Sequence, residues 1–482
     1  MQQRVATKSA VGIDAIAVHV PRLYLDLAGE WANVRASELG ERGVAELVSK
    51  VTSGVGVRQM AIPDAHEDSA TLAAMAALKA ISQAGIDPRD IGFIAVGTET
   101  TVDQSKSIAA YVLGMLERHF GVDLREVGAP QFQFACIGAT YALEAAVNIF
   151  RAGEAHKPYA LVIATDVSKY PLRSSGEYTQ GAGAVAMIIS EQPRLLELDA
   201  RVTATVTRDE RDFFRPNGLT TAIVDGKYSI DVYLGCVNEA ATRFVERARE
   251  RFGKPTDRID QLVDHFLFHV PFPRMAEYAA LRVLGEAWRT DPTMRALLGK
   301  TSPRLFEAEQ LDTTSRREIE KELSKDAFFK KLFAERIEPS LTLSRQIGNI
   351  YSGSMYLALA SLLETSPNRA ALAGSRVGFF SYGSGASARV FSGVFVDPQG
   401  AYRPHVIAAL RSESDGGSRV SLGLIDYERL HAGPIHGDQP ASLSQPAISV
   451  RPPSAEFALS RIGTEQSPKK TDLGYRYYEW QS

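Results

Sequence analysis

Apolar positions along the chain follow two alternating rhythms. Leu72, Met75, Leu78 and Ile81 recur at helical spacing, behind a capping Asp68-Ser69 and ahead of the stop Gly85-Ile86-Asp87-Pro88. A helix is therefore predicted through Ala84. Ile91 to Val96 is an unbroken apolar run, which predicts a strand covered on both faces. The same signals continue with a helix from about Ile108 to Phe120 and a strand near Gln131 to Phe134. A helix after Cys136 to about Ala152 follows, then strands at Tyr159 to Ala164 and Ala182 to Ile189. Helices alternating with apolar strands require a layered sheet, so the fold class is α/β.

The second half repeats the rhythm. A helix is predicted over Val232 to Arg251, a strand over Val263 to Phe268, and a polar, charged helical stretch over Glu277 to Glu338. A Gly/Ser-punctuated helix over Ile350 to Leu363 and strands over Val377 to Ser381 and Ala388 to Val396 close it. Two comparable halves, residues 1–195 and 196–400, meet near Pro193 to Thr203 and suggest a duplication. Residues 401–482, rich in Pro, Gly, Ser and His, read as a surface excursion. Its last segment, Glu456 to Trp480, is expected to pack back through its aromatics.

Composition narrows the function classes. With 54 basic and 57 acidic residues and no long basic block, nucleic-acid binding has no electrostatic footprint. No apolar stretch approaches roughly 18 residues, so neither a membrane span nor a signal peptide is expected. The two cysteines, Cys136 and Cys236, are far apart, which argues against a disulfide framework or zinc cluster and fits a reducing cytoplasm.

Four segments carry candidate chemistry. Cys136, in Phe134-Ala135-Cys136-Ile137-Gly138, sits where an apolar run meets the start of a helix. The macrodipole and free N–H groups there favour a thiolate and can donate to a thioester oxygen. A lone cysteine is more often a buried structural thiol, which describes Cys236 on its apolar helix face; the turn and Gly138 set Cys136 apart. Glu99 follows the strand ending at Val96, at the carboxyl end where open α/β sheets place their sites. Apolar walls would raise its pKa and suit it to general acid–base work, while a plainer role for Glu99 or Asp103 is to cap the next helix.

His269 ends a strand before Pro271, which puts its imidazole at the sheet's rim, fit to shuttle a proton or hold a carbonyl. His265 shares its strand face, so a metal pair is conceivable, but no third ligand at zinc spacing is nearby and a core histidine is the plainer role for His265. Gly/Ser turns around Asn349 and Ser381 let backbone approach a ligand, and Asn349 offers an amide to a carbonyl oxygen. Tight turns alone account for most such sequences.

In order along the chain, GTETTVDQSKS, FACIGAT, EYTQGAGAVAM, FRPNG with IVDGKYS, FHVPF, IGNIYSGSMYLALASLLE and FSYGSGA resemble the 3-hydroxy-3-methylglutaryl-CoA synthase family of the thiolase superfamily. The resemblance runs from about Val11 to Val396 and more weakly through the tail. It implies a thiolase-like five-layered αβαβα fold, two duplicated halves with mixed five-stranded sheets, and usually a homodimer. It implies condensation of acetyl-CoA with acetoacetyl-CoA and water, in the cytoplasm and the mevalonate pathway. No metal or redox cofactor is implied, because the CoA thioesters are themselves activated. By this resemblance Cys136 takes the acetyl group as a thioester, and Glu99 removes a methyl proton and then protonates the C3 oxygen. His269 and Asn349 hold the acetoacetyl thioester, N–H groups of Cys136 and Ser381 form the oxyanion hole, and Thr179 lines the acyl pocket.

Departures and alternatives accompany it. Arg274 stands where the family usually has a Lys that meets the CoA phosphates, keeping the charge on a planar fork. Gln133 and Phe134 fill positions that often hold Lys or another polar residue. The stretch at 285–336 is longer and more charged than in short relatives and is expected to be a solvated helical excursion able to shape the CoA entrance. A second enzyme reading is a polyketide β-branching relative that takes acyl carrier protein substrates, although GTETTVDQSKS and GNIYSGS are closer to the CoA-using form. A non-catalytic member would lack Cys136, Glu99 or His269, and all three are present.

Overall fold

The helix and strand signals of the first half become β1 (Val11–His19), α1 (Ser69–Ala84), β2 (Ile91–Gly97), α2 (Ile108–Phe120), β3 (Gln131–Phe132), α3 (Gly138–Ala152), β4 (Tyr159–Val167) and β5 (Ala182–Glu191). The second half adds β6 (Leu196–Leu198), β7 (Ala204–Thr207), α4 (Gly226–Arg251), β8 (His265–Phe268), α5 (Pro273–Arg289), α6 (Ser354–Thr365), β9 (Arg376–Gly383) and β10 (Ser387–Phe395). A hairpin of β11 (Glu456–Ile462) and β12 (Arg476–Gln481) follows. The computed structural model describes residues 10–219, 221–307, 313–433, 449–464 and 470–482.

The strands run in the order β8-β9-β10-β6-β1-β5-β4-β2-β3, with β7 on β10, so each half contributes five. They join where β1 pairs with β6, Gly12 opposite Glu197 and Ile13 opposite Leu196. Pairing is mixed: β2 is parallel to β3 and β4, and β8 to β9, whereas β1–β5, β4–β5 and β9–β10 are antiparallel. Helices cover every face. α1 and α2 bury Leu72, Ala76 and Val112 against Ile94 and Leu161 on the outer face of the first half. α3 and α6 fill the middle, where Leu143, Val147, Leu357 and Leu359 meet Val162, Met187 and Phe379. α4 and α5 close the far side with Val237, Phe244 and Leu284 on Phe266 and Val390. The result is five layers, αβαβα, each buried on the period of its own element.

Four sequence expectations change. The polar stretch after α5 is not one helix and not a solvated excursion. It breaks into Pro292–Leu298, Arg304–Glu307, Thr313–Leu323 and Ala327–Arg336. Leu298, Leu305, Leu323 and Phe329 sink into the same core as Trp288, because each short helix needs only one or two apolar anchors. Residues 308–312 lie outside the described residues. The tail is also more than a surface excursion: Val420 and Ser421 pair with Leu23 and Tyr24, and helix Leu424–Ala432 buries Tyr427 and Leu430 against Trp31. The strand expected to reach Phe134 stops at Phe132, and α4 starts earlier than the apolar rhythm because Asp225 caps it through the Tyr228 N–H. The final hairpin does pack through its aromatics, with Phe457 and Tyr478 buried on α1 and α2.

Strand β2 and helix α3 approach so closely that a Cβ on Gly97 would stand 2.2 Å from Ala139 Cα and N. Both atoms are backbone, so nothing can yield cheaply. Gly97→Ala should therefore cost about 2–3 kcal/mol or more of unfolding free energy, measured by denaturant titration. A variant as stable as the parent would show that the two elements can slide apart.

Candidate active site

Where β2 ends, the chain turns across the mouth of the sheet and is caught by Asp166, at the carboxyl end of β4. Thr98 Oγ1 (2.8 Å), the Glu99 N–H (2.9 Å), the Thr100 N–H (3.1 Å) and Thr100 Oγ1 (2.7 Å) all donate to Asp166 Oδ1. From the other half, the Ser352 N–H donates to Oδ2 at 2.9 Å and the Ser352 hydroxyl donates to the same oxygen. Asp166 is fully buried. Glu99 is not a helix cap, as its plainer reading had it. Ser107 caps α2, while Asp103 closes a turn by accepting from the Ser105 and Lys106 N–H groups, both at 2.7 Å.

This clamp presents Glu99 to Cys136. The Cys136 thiol lies 3.7 Å from Glu99 Oε2, in hydrogen-bonding contact, while Glu99 Oε1 is buried without a partner among the described residues. Burial above all pushes the Glu99 carboxyl up to about 8; the Asp166 charge adds to this and Arg215 opposes it. Arg215 also donates to the Glu99 carbonyl oxygen. The cysteine is tied to a strained turn, since Ala135 holds φ +39, a left-handed conformation costly outside glycine. Sequence reasoning favoured a thiolate at the start of a helix. Instead, burial and then the neighbouring Glu99 charge hold the thiol well above its ordinary range. α3 begins only at Gly138, with no side-chain cap at Ile137, and desolvation outweighs what its end can offer.

Cys136, Thr179, His269 and Asn349 line one cavity of about 500 Å³, within the ordinary size of ligand pockets. His269 follows β8; its N–H donates to the Phe380 carbonyl oxygen at 2.9 Å and its own carbonyl accepts from Tyr233 Oη at 2.9 Å. Burial lowers its pKa to about 3, so the imidazole is neutral. Asn349 is fixed by its N–H to the Thr179 carbonyl oxygen (3.0 Å). Its Oδ1 accepts from the Tyr351 N–H (2.8 Å) and Ser354 Oγ (2.9 Å), which leaves the amide NH₂ for the cavity. Glu99 is the wall behind Cys136. On its other side it borders a second, polar cavity of about 260 Å³, lined also by Gln104, Gln133 and Arg215.

Two sequence candidates stand elsewhere. Ser381, on β9, is not part of the cavity lining; its hydroxyl shares a hydrogen bond with Thr140 Oγ1 at 2.7 Å. Arg274 is outside the lining too, where it pairs with Glu277 and donates to the Ser53 and Gly54 carbonyls at 2.8 and 3.4 Å. An exposed cation that does line the cavity, Lys227, had not been singled out. Asp166 and Arg215 were missed as well. Asp166 closes the Tyr159 run on the same strand-end rule that selected Glu99, and Arg215 and Lys227 lie within FRPNG and IVDGKYS. Cys236 is buried on α4, its thiol raised to about 11 by burial. Among the described residues, the grouping with the spacing of metal ligands is His66, Glu67 and Glu456, not the His265–His269 pair.

Known proteins match both halves of the chain. The family model for the hydroxymethylglutaryl-coenzyme A synthase N terminal matches residues 7–193, and that for the C terminal matches residues 196–419. Hydroxymethylglutaryl-CoA synthase of Haloferax volcanii is 33% identical over 98% of this chain and 100% of that protein. The Enterococcus faecalis enzyme of the same name is 33% identical over 89% and 93%. A solved structure of MvaS with 3-hydroxy-3-methylglutaryl coenzyme A covers 99% of this chain and 100% of that one, at 32% identity and a TM-score of 0.79. The curacin-pathway HMG synthase, at 23% identity and a TM-score of 0.70, shares the fold.

The folded chain binds the Glu99 proton more tightly than the unfolded chain does. The linked stability is therefore fully present below about pH 4.5 and lost as pH rises through about 8. Glu99→Gln removes this dependence. Relative to the parent, it should gain on the order of 3–5 kcal/mol between pH 5 and pH 9, read from urea unfolding at both values. Parallel pH curves for the two proteins would mean that Glu99 titrates as an ordinary carboxyl.

Proposed function

The chain belongs to the hydroxymethylglutaryl-coenzyme A synthase family, and we propose that it condenses acetyl-CoA with acetoacetyl-CoA and water to 3-hydroxy-3-methylglutaryl-CoA and free CoA. One observation carries the reading. The Cys136 thiol meets Glu99 Oε2 at 3.7 Å, beside a cavity that His269 and Asn349 enter from the other half of the chain.

In the first half-reaction Cys136 Sγ attacks the acetyl carbonyl, and CoA leaves carrying the thiol's proton in place of the acetyl group. The Cys136 N–H is the donor for the oxyanion, and Thr179 walls the acetyl group, while Ser381 stands outside this lining. In the second, Glu99 takes a methyl proton from the acetyl-cysteine. The carbanion bonds to C3 of acetoacetyl-CoA, and the same proton goes to the C3 oxygen. A group with a pKa of about 8 can accept and return a proton near neutral pH. His269, neutral through burial, donates a ring N–H to the acetoacetyl thioester oxygen without adding charge, and the Asn349 NH₂ donates beside it. Water then cleaves the Cys136 thioester, releasing the product carboxylate and the free thiol.

The reading needs no metal or redox cofactor, since the thioesters supply the activation. Lys227 is the cation on the cavity wall for the CoA phosphates. Arg274 joins it only by leaving Glu277 and the carbonyls of Ser53 and Gly54. A homodimer fits the sheet, whose terminal strand β3 leaves one edge unpaired among the described residues. We place the enzyme in the cytoplasm and the mevalonate pathway. Relatives named as cytoplasmic and as mitochondrial both match, and among the described residues no helix is long and apolar enough to cross a membrane. CoA is preferred to an acyl carrier protein as the thioester carrier, because the relatives at 30% identity and above carry the CoA name while the curacin-pathway protein stands at 23%.

Purified protein given both thioesters should release free CoA and form 3-hydroxy-3-methylglutaryl-CoA. Cys136→Ala should abolish labelling by radioactive acetyl-CoA; label retained on the variant sinks the assignment. Glu99→Ala should acetylate at close to the parent rate and condense roughly 10²–10⁴-fold more slowly, by single-turnover assay of each half-reaction. Equal losses in both halves would make Glu99 structural. Turnover of acyl-carrier-protein substrates with none of CoA thioesters would reverse the carrier preference.

A further inference from the structure

The family model ends at residue 419, and the chain beyond it reaches back to the loop that carries Glu99. Three side chains of the final hairpin do this. Lys106 Nζ, at the far end of the Glu99 loop, donates to Tyr475 Oη at 2.8 Å and stands 4.7 Å over that ring and 3.9 Å over Tyr111. Arg476 Nη1 (2.9 Å) and Tyr478 Oη (2.8 Å) both donate to Asp68 Oδ2. All three partners of that last contact are buried, Asp68 completely.

From Asp68 the connection runs inward without a gap. Asp68 Oδ1 caps α1 through the Ala70 and Thr71 N–H groups at 2.9 and 3.0 Å, which fixes the first turn. Ser69, in that turn, shares a 3.0 Å hydrogen bond with Thr100 Oγ1, and its carbonyl accepts from Thr165 Oγ1 at 2.7 Å. Thr100 is the neighbour of Glu99, and its hydroxyl donates to the Asp166 oxygen that also holds the Glu99 N–H. Apolar burial of Phe457 and Leu459 on α1 and α2 would be enough to cover the helices. It does not require a buried guanidinium and phenol aimed at one carboxylate, a costly arrangement unless every member is hydrogen-bonded.

We infer that the C-terminal hairpin is a positioning element for Glu99: Arg476 and Tyr478 through Asp68, and Tyr475 through Lys106, hold the 98–106 loop so that the carboxyl meets the acetyl-cysteine. The inference rests on Glu99 being the acid–base of the condensation. None of these residues touches substrate. Loosening them displaces Glu99 and lets water reach its carboxyl, which relaxes the burial that raises its pKa. Cys136, carried by the β3–α3 turn, is untouched.

The test uses full-length Tyr478→Phe/Arg476→Met and Lys106→Met, with Arg476→Lys and Lys106→Arg as conservative variants. Acetylation is read by labelled acetyl-CoA, and condensation by adding acetoacetyl-CoA to preformed acetyl-enzyme. Condensation should slow roughly tenfold or more with acetylation within about twofold. The rising limb of its pH profile should move to lower pH, and the conservative variants should recover most of the rate. Equal loss in both half-reactions, or a lowered unfolding temperature with both rates unchanged, overturns the positioning role. Failure of the unsubstituted enzyme to acetylate at all would instead overturn the condensing-enzyme reading and this inference with it.

Discussion

One buried carboxylate, Asp166, fixes the geometry on which the site depends. Six donors converge on its two oxygens, four from the loop after β2 and two from Ser352 in the second half. An isolated charge in such a place would be prohibitive, but a carboxylate that accepts this many hydrogen bonds is tolerated. Burial still pushes its pKa up against those donors. Because the two donor sets come from different halves, their spacing is set by this residue and not by either loop. Asn349, three positions before Ser352, is thereby held in register with Glu99.

The same burial decides how protons are kept. The charges of Glu99, Asp166 and Asp212 all act on Cys136, so charge repulsion joins desolvation in keeping the thiol protonated at rest. This suits a thioester enzyme. An acyl-cysteine is neutral, so the environment that penalises a free thiolate does not penalise the acylated state. Acylation also removes the thiol whose hydrogen bond holds the Glu99 pKa down. Asp212, fully buried, accepts from the Gly385 N–H (2.9 Å), Ser229 Oγ (2.8 Å) and Tyr382 Oη (3.2 Å), which spends its charge on structure.

Much of this was legible in the chain, and the reasons differ by element. α1 was readable because its apolar spacing, its Asp68 cap and its Gly85 stop agree. Glu99, Cys136 and His269 were readable because each ends an apolar strand, where α/β sheets put their chemistry. The thiol's protonation state was not readable, since a helix end is a local signal whereas burial by residues far along the chain is not. The helices between Trp288 and Arg336 misled because a charged sequence with sparse apolar anchors looks solvated until Leu305, Leu323 and Phe329 are seen to share one core. Asp166 was hidden for a related reason. Its importance lies in partners some 70 positions before it and nearly 190 after it, and no local pattern encodes that.

Strain locates the remaining constraint. Ala135 and Tyr351 hold φ +39 and +41, and each adjoins a working residue, Cys136 in one case and the Asn349 turn in the other. Each costs on the order of 1–3 kcal/mol and persists only where the surroundings over-determine it. Around Ala135 the chain is pinned by the Ile137 N–H to the Phe134 carbonyl oxygen at 3.1 Å; around Tyr351, by its N–H to Asn349 Oδ1 at 2.8 Å. Both turns rest on the central helices α3 and α6, whose apolar faces are sealed between the two halves of the sheet. The layered core therefore does more than stabilise the fold. It supplies the rigidity that lets two unfavourable turns aim a sulfur and an amide into one cavity, while the 98–106 loop is secured by Asp166 from within and by the hairpin from outside.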